Sequence, residues 1–179
     1  MKRNLSQQAI DAINLFSRKD KWFGEFTYLD KKGVFVTGLK GVLSTDSSLR
    51  GLAVYGVEVG ESSFKIDAFV SVAAEDEKTR ERLNVFVERA NESLENGSFY
   101  LMNGATLAFK LEVPCDDEIS DLDVVRAFLT PAAAFRAYES VFLGIVDRNE
   151  DVPDPLVLED NKSVRVILET LVCAHECGL

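Results

Sequence analysis

The densest group of reactive side chains lies in the stretch "CAHECGL", residues 173–179. It contains the only histidine of the chain and two of its three cysteines. Thiolates and imidazoles bind zinc, and thiolates are also nucleophiles, so these residue types suggest a metal site or a reactive thiol. Cys173 and Cys177 share one side of a predicted helix, whereas His175 points to the other side. This spacing favours an ordinary helix end, and zinc with Cys115 as a fourth ligand is the alternative.

A second candidate site is the acidic segment "CDDEISDLD", residues 115–123. Hard cations bind carboxylate oxygens, and the segment contains five carboxylate groups, those of Asp116, Asp117, Glu118, Asp121 and Asp123. Their spacing does not match an EF-hand loop, which needs a glycine at its sixth position. Acidic residues also stabilise the start of a helix through its dipole, and this is the interpretation that the spacing favours.

Motifs of known catalytic sites are not found elsewhere in the sequence. It contains no glycine-rich dinucleotide loop, P-loop, nucleophile elbow or His-Glu-x-x-His motif. A single histidine restricts any histidine-dependent site to position 175. We therefore predict a protein that is not an enzyme and that uses no cofactor or metal. The alternative is a metal-dependent or small-molecule-binding enzyme or sensor, built on the 116–123 loop or the terminal cysteines and histidine.

The composition indicates a globular protein with an acidic surface. The 179 residues are 46% hydrophobic and 28% charged, with a formal net charge of -10. Such a charge repels phosphate backbones and anionic lipid headgroups, so we expect neither nucleic acid nor membrane partners. Three cysteines do not make a disulfide framework, and the polar residues near the first methionine interrupt any signal-peptide core. A cytoplasmic location is expected.

The periodicity of apolar residues predicts an α+β fold. Helical spacing occurs in residues 4–19, and four strands with period-two alternation follow between residues 21 and 72. A helix with acidic residues in its first turn covers 74–97, and Asn103-Gly104 predicts a tight hairpin between two further strands. A long helix begins near Ser120, and Pro131 predicts a kink or a new helix start within it.

The predicted order is α-β-β-β-β-α-β-β-α with an additional C-terminal helix. Short connections indicate a mostly antiparallel sheet with the helices packed on one face. Residues 1–146 form the predicted domain. Residues 147–179 are an acidic, proline-containing linker and a helix that packs on the same domain.

Three aromatic residues in the four-strand segment are candidates for a binding surface. Phe23, Tyr55 and Phe69 belong to strands whose alternation places some aromatics opposite the predicted core positions. Exposed aromatics on a sheet face are typical of a protein-interaction surface. The equally weighted alternative is that the last helix packs over them.

Residues 80–146 resemble the YbjN-type family of bacterial proteins. The resemblance rests on an asparagine near a helix end, a Gly-x-Phe strand start, a tight turn, a second strand, an acidic loop and a long helix. The matching positions are Asn91, Gly97, Phe99, Leu101, Asn103, Gly104, Leu107, Phe109 and Leu111. The fourth N-terminal strand and the segment from Asp147 onward depart from the family pattern.

The resemblance implies a fold similar to that of type III secretion chaperones. Proteins of that kind are small, acidic and usually dimeric, and they bind extended segments of client polypeptides. The matching residues are turn and core positions and none has catalytic character, so the resemblance implies binding and no reaction. We therefore expect a chaperone-like module with a protein or peptide client, and a possible homodimer.

Overall fold

A computed structural model describes residues 23–24, 26–29, 34–44, 50–60, 63–114 and 120–177. The predicted first helix, residues 4–19, and most of the acidic loop lie outside these ranges. The described residues form six strands, three α-helices and one 3₁₀ turn. They are β1 (Thr27–Leu29), β2 (Val34–Leu39), β3 (Ala53–Val59), β4 (Ser63–Ala73), α1 (Glu77–Ser93), β5 (Ser98–Met102), β6 (Thr106–Pro114), α2 (Asp121–Arg148), the 3₁₀ turn (Asp160–Lys162) and α3 (Val164–Cys177).

The six strands form one antiparallel sheet in the order β1-β2-β3-β4-β6-β5. The first four are joined in sequence order, which confirms the predicted meander. The second hairpin turns at Asn103 and Gly104, whose positive φ values of 52° and 71° are those of a type I′ turn. It joins the meander through β6, which pairs with β4. The predicted α+β class is confirmed.

One face of the sheet is buried and the other is not, as β4 shows. Its residues Phe64, Ile66, Ala68, Val70 and Val72 are buried, and the residues between them are exposed or half-buried. The helices pack on the buried face, which we call the covered face: Phe128 of α2 stacks near Phe64, and Phe86 of α1 contacts Phe99 of β5. We call the opposite side the open face.

Helix α2 lies at the centre of the molecule because it is apolar around its whole circumference. Every residue from Ala127 to Phe135 is buried, which is typical of a helix covered on all sides. The predicted cap is confirmed, since Ser120 Oγ accepts a hydrogen bond from the Asp123 amide at 3.2 Å. The predicted helix start at Pro131 is wrong, because α2 continues through it.

Helix α3 forms a third layer, and its main contacts are with α2. Leu171 and Val172 are its buried residues, and Val164, Ile167 and Leu168 are half-buried against the same core. Because α2 already lies on the covered face, α3 lies on that side of the sheet as well. The predicted possibility that this helix covers the second face of the meander is therefore wrong.

The segment between α2 and α3, residues 149–158, is fastened to α1, and we call it the strap. Arg89 donates hydrogen bonds to the carbonyl oxygens of Val152 and Pro153, at 3.0 Å and 2.7 Å. Arg82, two turns earlier on α1, forms a 2.8 Å ion pair with Asp151. These contacts direct the chain from the end of α2 back to the start of α3.

Candidate functional site

Two of the three candidate aromatics belong to the core. Phe23 is 6% exposed and Tyr55 is 0% exposed. Their rings meet edge to face, with centroids 5.8 Å apart, and Phe23 also contacts Phe128 of α2. The expectation that Phe23 and Tyr55 are exposed is therefore wrong. The alternative that the last helix packs over them is wrong as well, because the helix in contact with Phe23 is α2.

A change of register before β1 explains the error at Phe23. Phe23 bridges Leu39, whereas Thr27 pairs with Val36, so the first strand carries one more residue than its partner. An extra residue reverses which side chains face the core. Strict alternation of side chains counted back from Tyr28 ignores this extra residue, and it therefore places Phe23 on the open face, which is wrong. Tyr28 pairs with Phe35 and therefore faces the covered side, but it lies at the sheet edge and is 50% exposed.

Phe69 lies on the open face, as its position opposite Phe64 and Ile66 predicts. It is half-buried and lines a groove of about 570 Å³ at the end of the sheet. We call this the open-face groove. Its lining is mostly apolar and includes Leu52, Val54, Ser71, Ala73, Met102 and Thr106. Val70 and Val72 of the covered face and Val146 of α2 also line it, so the groove runs round the end of the sheet. Leu52, Val54 and Met102 were not identified from the sequence, although alternation along the predicted strands places each of them opposite the core residues of its strand, as it does for Phe69.

The register across the sheet places these residues side by side. Phe69 pairs with Val54 on β3 and with Ala108 on β6, and Ala108 pairs with Tyr100 on β5. Paired residues in an antiparallel sheet point to the same face. Ala108 faces this side and is fully buried. The open face therefore has a continuous apolar row across four strands.

A β-bulge forms the floor of the groove. The pairing of β4 with β6 shifts between Phe69 and Ala73, and such irregularities are common beside binding sites because they re-aim side chains. Arg50 and Glu75 stand at the groove's charged end. Arg50 is paired with Asp147 at the end of α2, and this hydrogen-bonded contact lowers the pKa of Asp147.

The Tyr100 ring ends the apolar row, and from its hydroxyl outward the open face is polar and carries both signs of charge. Tyr100 donates a 3.0 Å hydrogen bond to Asp67, and the Lys110 ammonium lies 5.9 Å from the centre of the Tyr100 ring. Burial, and then this hydrogen bond, raise the pKa of Tyr100 to about 12. Lys65 forms an ion pair with Glu112 at 3.8 Å. The apolar groove is therefore bordered by satisfied polar groups, the arrangement of a binding surface with an apolar centre.

The two edges of the sheet differ. At β5, the Asn91 side chain accepts a hydrogen bond from the Phe99 amide at 2.8 Å and donates one to its carbonyl oxygen at 3.0 Å. The unpaired backbone groups of an edge strand can pair with a strand of another molecule. Asn91 opposes this at Phe99, because its side chain occupies the backbone groups that such a strand would bind. The β1 edge is short and all three of its residues are exposed.

The acidic and cysteine-rich segments do not form a multi-ligand metal centre in the part of the chain that the structure describes. No group of three or more histidine, cysteine, aspartate or glutamate residues in that part is placed to hold an ion. Asp121 and Asp123 occupy the first turn of α2, where they complement its dipole. Asp116, Asp117, Glu118 and Cys115 lie outside the described residues.

Cys173 and Cys177 are free, exposed thiols on the outer side of α3. The charge of Cys177, and then a hydrogen bond between the two thiols, raise the pKa of Cys173. His175 is half-buried and makes an interaction of its own. The structure therefore brings the two cysteines together and keeps the histidine apart from them, as the helical spacing predicts.

No family model, curated protein or solved structure matches this chain. Among the described helices, none is long and apolar enough to cross a membrane.

Proposed function

We propose that this protein is a cytoplasmic, non-enzymatic, chaperone-like module that binds an extended segment of a client protein in the open-face groove. The observation that carries the proposal is the apolar row on the sheet face opposite to the one on which the described helices pack. Apolar concavities with a few fixed polar groups are the usual form of a recognition site.

The length and shape of the groove favour an extended chain over a small ligand. The row of Val54, Phe69, Ala108 and Tyr100 runs across the strands. Because neighbouring strands lie about 4.8 Å apart, a row across four strands is about 14 Å long, the length of about four residues of an extended chain. The resemblance to the YbjN-type family supports the same type of client.

The charge of the protein favours a client with basic residues. The chain has a formal net charge of -10. Asp67 lies in β4 two residues before Phe69, and Glu75 lines the groove beyond the end of β4. Complementary charge speeds association and rejects acidic competitors. The proposed client segment therefore contains alternating apolar residues with lysine or arginine beside them.

Site-specific photo-crosslinking in native cells tests this function. A benzoylphenylalanine at position 69 should form a covalent adduct with one partner through a segment of the stated chemistry. The same residue at Val166, which is exposed on α3, is the matched control and should give no such adduct.

Two other occupants of the groove would overturn the proposal. An adduct from position 69 to the chain's own residues 1–22 would show that the groove is an internal packing site. An adduct to a second copy alone would show a dimer interface in place of a client site. Equal adducts from positions 69 and 166 would show that the contact is non-specific.

A further inference from the structure

A pocket of about 540 Å³ lies between the strap, the end of α1, the middle of α2 and the start of α3, and we call it the strap pocket. Pockets that bind small molecules usually have volumes of about 300–1,000 Å³ and mainly apolar walls. The strap pocket has the size and the lining of such a site. Its apolar walls are formed by Leu94, Leu156, Leu158, Val164 and Leu168.

Three side-chain hydroxyl groups stand among these apolar walls. Two of them belong to α2 and are almost completely buried, since Tyr138 is 1% exposed and Thr130 is 8% exposed. The third belongs to Ser93 at the end of α1, and its oxygen lies 2.7 Å from the Tyr138 hydroxyl oxygen. A few polar groups placed in an apolar pocket determine which ligand it accepts and in what orientation.

The hydrogen atoms of all three hydroxyl groups are already used within the protein. Ser93 donates to the Ala90 carbonyl oxygen at 3.1 Å. Because each hydroxyl has a single hydrogen, the hydrogen bond between Ser93 and Tyr138 uses the hydrogen of Tyr138. Thr130 donates to the Arg126 carbonyl oxygen at 2.8 Å. Each hydroxyl oxygen can still accept, so these groups select a ligand that donates a hydrogen bond.

The charged residues of the pocket favour a neutral ligand. Glu95, Arg165 and Glu169 line it with exposed side chains of both signs. Glu169 is paired with Arg126 at 3.3 Å, so its charge is already opposed. Moving an ion from water to apolar walls without a fixed opposite charge is costly.

We propose that the strap pocket binds a small neutral molecule that has an apolar body and an N–H or O–H group. The apolar body packs on the leucine and valine side chains, and the N–H or O–H group donates to the hydroxyl oxygen of Tyr138 or Ser93. The site is separate from the proposed client site, because the described residues that line the strap pocket do not line the open-face groove.

Titration calorimetry with indole and benzofuran tests the requirement for a donor. The two molecules have nearly the same shape, but indole has an N–H donor where benzofuran has an oxygen atom. The full-length protein should bind one indole per chain. Benzofuran should bind at least about fivefold more weakly, since a hydrogen bond contributes about this factor. Equal affinity for the two molecules, or no binding of indole at millimolar concentration, would overturn the proposal.

Two substitutions that fill the pocket from different elements locate the site. Leu158→Trp on the strap and Leu168→Trp on α3 should each abolish indole binding, and circular dichroism shows which of the two variants is folded. Val166→Trp on the exposed side of α3 is the matched control and should bind indole like the wild type. Phe69→Ala should also leave indole binding unchanged. Binding that persists in either folded pocket-filling variant, or that is lost in Phe69→Ala, would place the ligand elsewhere and overturn the proposal.

Discussion

At the residue scale, the environment of Tyr55 leaves its buried hydroxyl group unsatisfied. Its side chain is completely buried, and its hydroxyl has no hydrogen-bond partner among the described residues. Burial raises the pKa of Tyr55, and the nearby backbone of Ala132 opposes this only in part. A buried hydroxyl without a partner costs about 1–3 kcal/mol of folding free energy.

Replacing Tyr55 by phenylalanine should therefore stabilise the protein. We expect Tyr55→Phe to raise the free energy of unfolding by about 1 kcal/mol, because it removes only the unsatisfied group. Urea denaturation monitored by circular dichroism measures this change.

Tyr138→Phe is the matched control. The Tyr138 hydroxyl shares a 2.7 Å hydrogen bond with Ser93, so its loss should lower the free energy of unfolding by about 1 kcal/mol. Equal destabilisation by both substitutions would mean that the Tyr55 hydroxyl has a partner.

At the residue scale, the sequence predicted the groove only in part. Phe69 was identified because strand alternation opposes it to Phe64 and Ile66, and the structure agrees. Phe23 and Tyr55 were misassigned, since a shift of register and a central helix cannot be read from alternation within one strand. Leu52 and Met102 become neighbours of Phe69 only through pairing across the sheet.

At the element scale, two glycines next to strand β5 have different roles. Gly97 and Gly104 both have positive φ, at 75° and 71°. A Cβ at Gly97 would lie 2.5 Å from the Phe109 ring and 2.8 Å from the Lys110 carbonyl oxygen, whereas nothing lies within 4 Å of a Cβ at Gly104. Gly97 is therefore required both for its backbone conformation and for the close approach of the ring.

Alanine substitutions should separate these two requirements. Gly104→Ala should lower the free energy of unfolding by about 1–2 kcal/mol, the cost of a left-handed conformation. Gly97→Ala adds overpacking of about 1–3 kcal/mol and should cost distinctly more. Thermal and urea denaturation measure both, and equal costs would contradict the predicted clash with Phe109.

The strap depends on Arg89. Its guanidinium holds the carbonyl oxygens of Val152 and Pro153 and pairs with Asp154 at 3.3 Å. Arg89→Ala should release residues 149–158, and loss of about 1.4 kcal/mol of local stability increases the open population about tenfold. Limited proteolysis within the strap should accelerate by that factor.

Arg80→Ala is the control on the same helix, because Arg80 pairs with Glu77 one turn earlier and does not hold the strap. It should leave cleavage of the strap unchanged. If Arg89→Ala also left the cleavage rate unchanged, the strap would be held by its other contacts.

Most elements were predictable because each has a local signal. The Asn103-Gly104 turn, the Ser120 cap and the alternation of β4 all occur as expected. The continuity of α2 through Pro131 was not predictable, because tertiary packing around the helix outweighs one missing hydrogen bond. The packing of α3 on α2 likewise depends on contacts between distant segments.

For the whole molecule, the sequence predicted the α+β class and the helices on one face, but not which surface remains uncovered. The last helix was a possible cover for the second sheet face, and the structure places it on α2. The open-face groove follows from that placement and from the register of four strands. In this arrangement the proposed client surface is accessible while α3 stays packed on α2.

Direct binding of a defined peptide is the measurement that tests the open-face groove most directly. The probe is a fluorescent extended peptide in which apolar residues alternate with lysine, and its anisotropy reports the dissociation constant. Phe69→Ala should weaken binding at least about tenfold, since a central aromatic contact contributes more than about 1.4 kcal/mol. Val166→Ala on α3 should bind like the wild type. Unchanged affinity of a folded Phe69→Ala variant, or absence of binding by the wild type, would contradict the assignment of the groove as the client site.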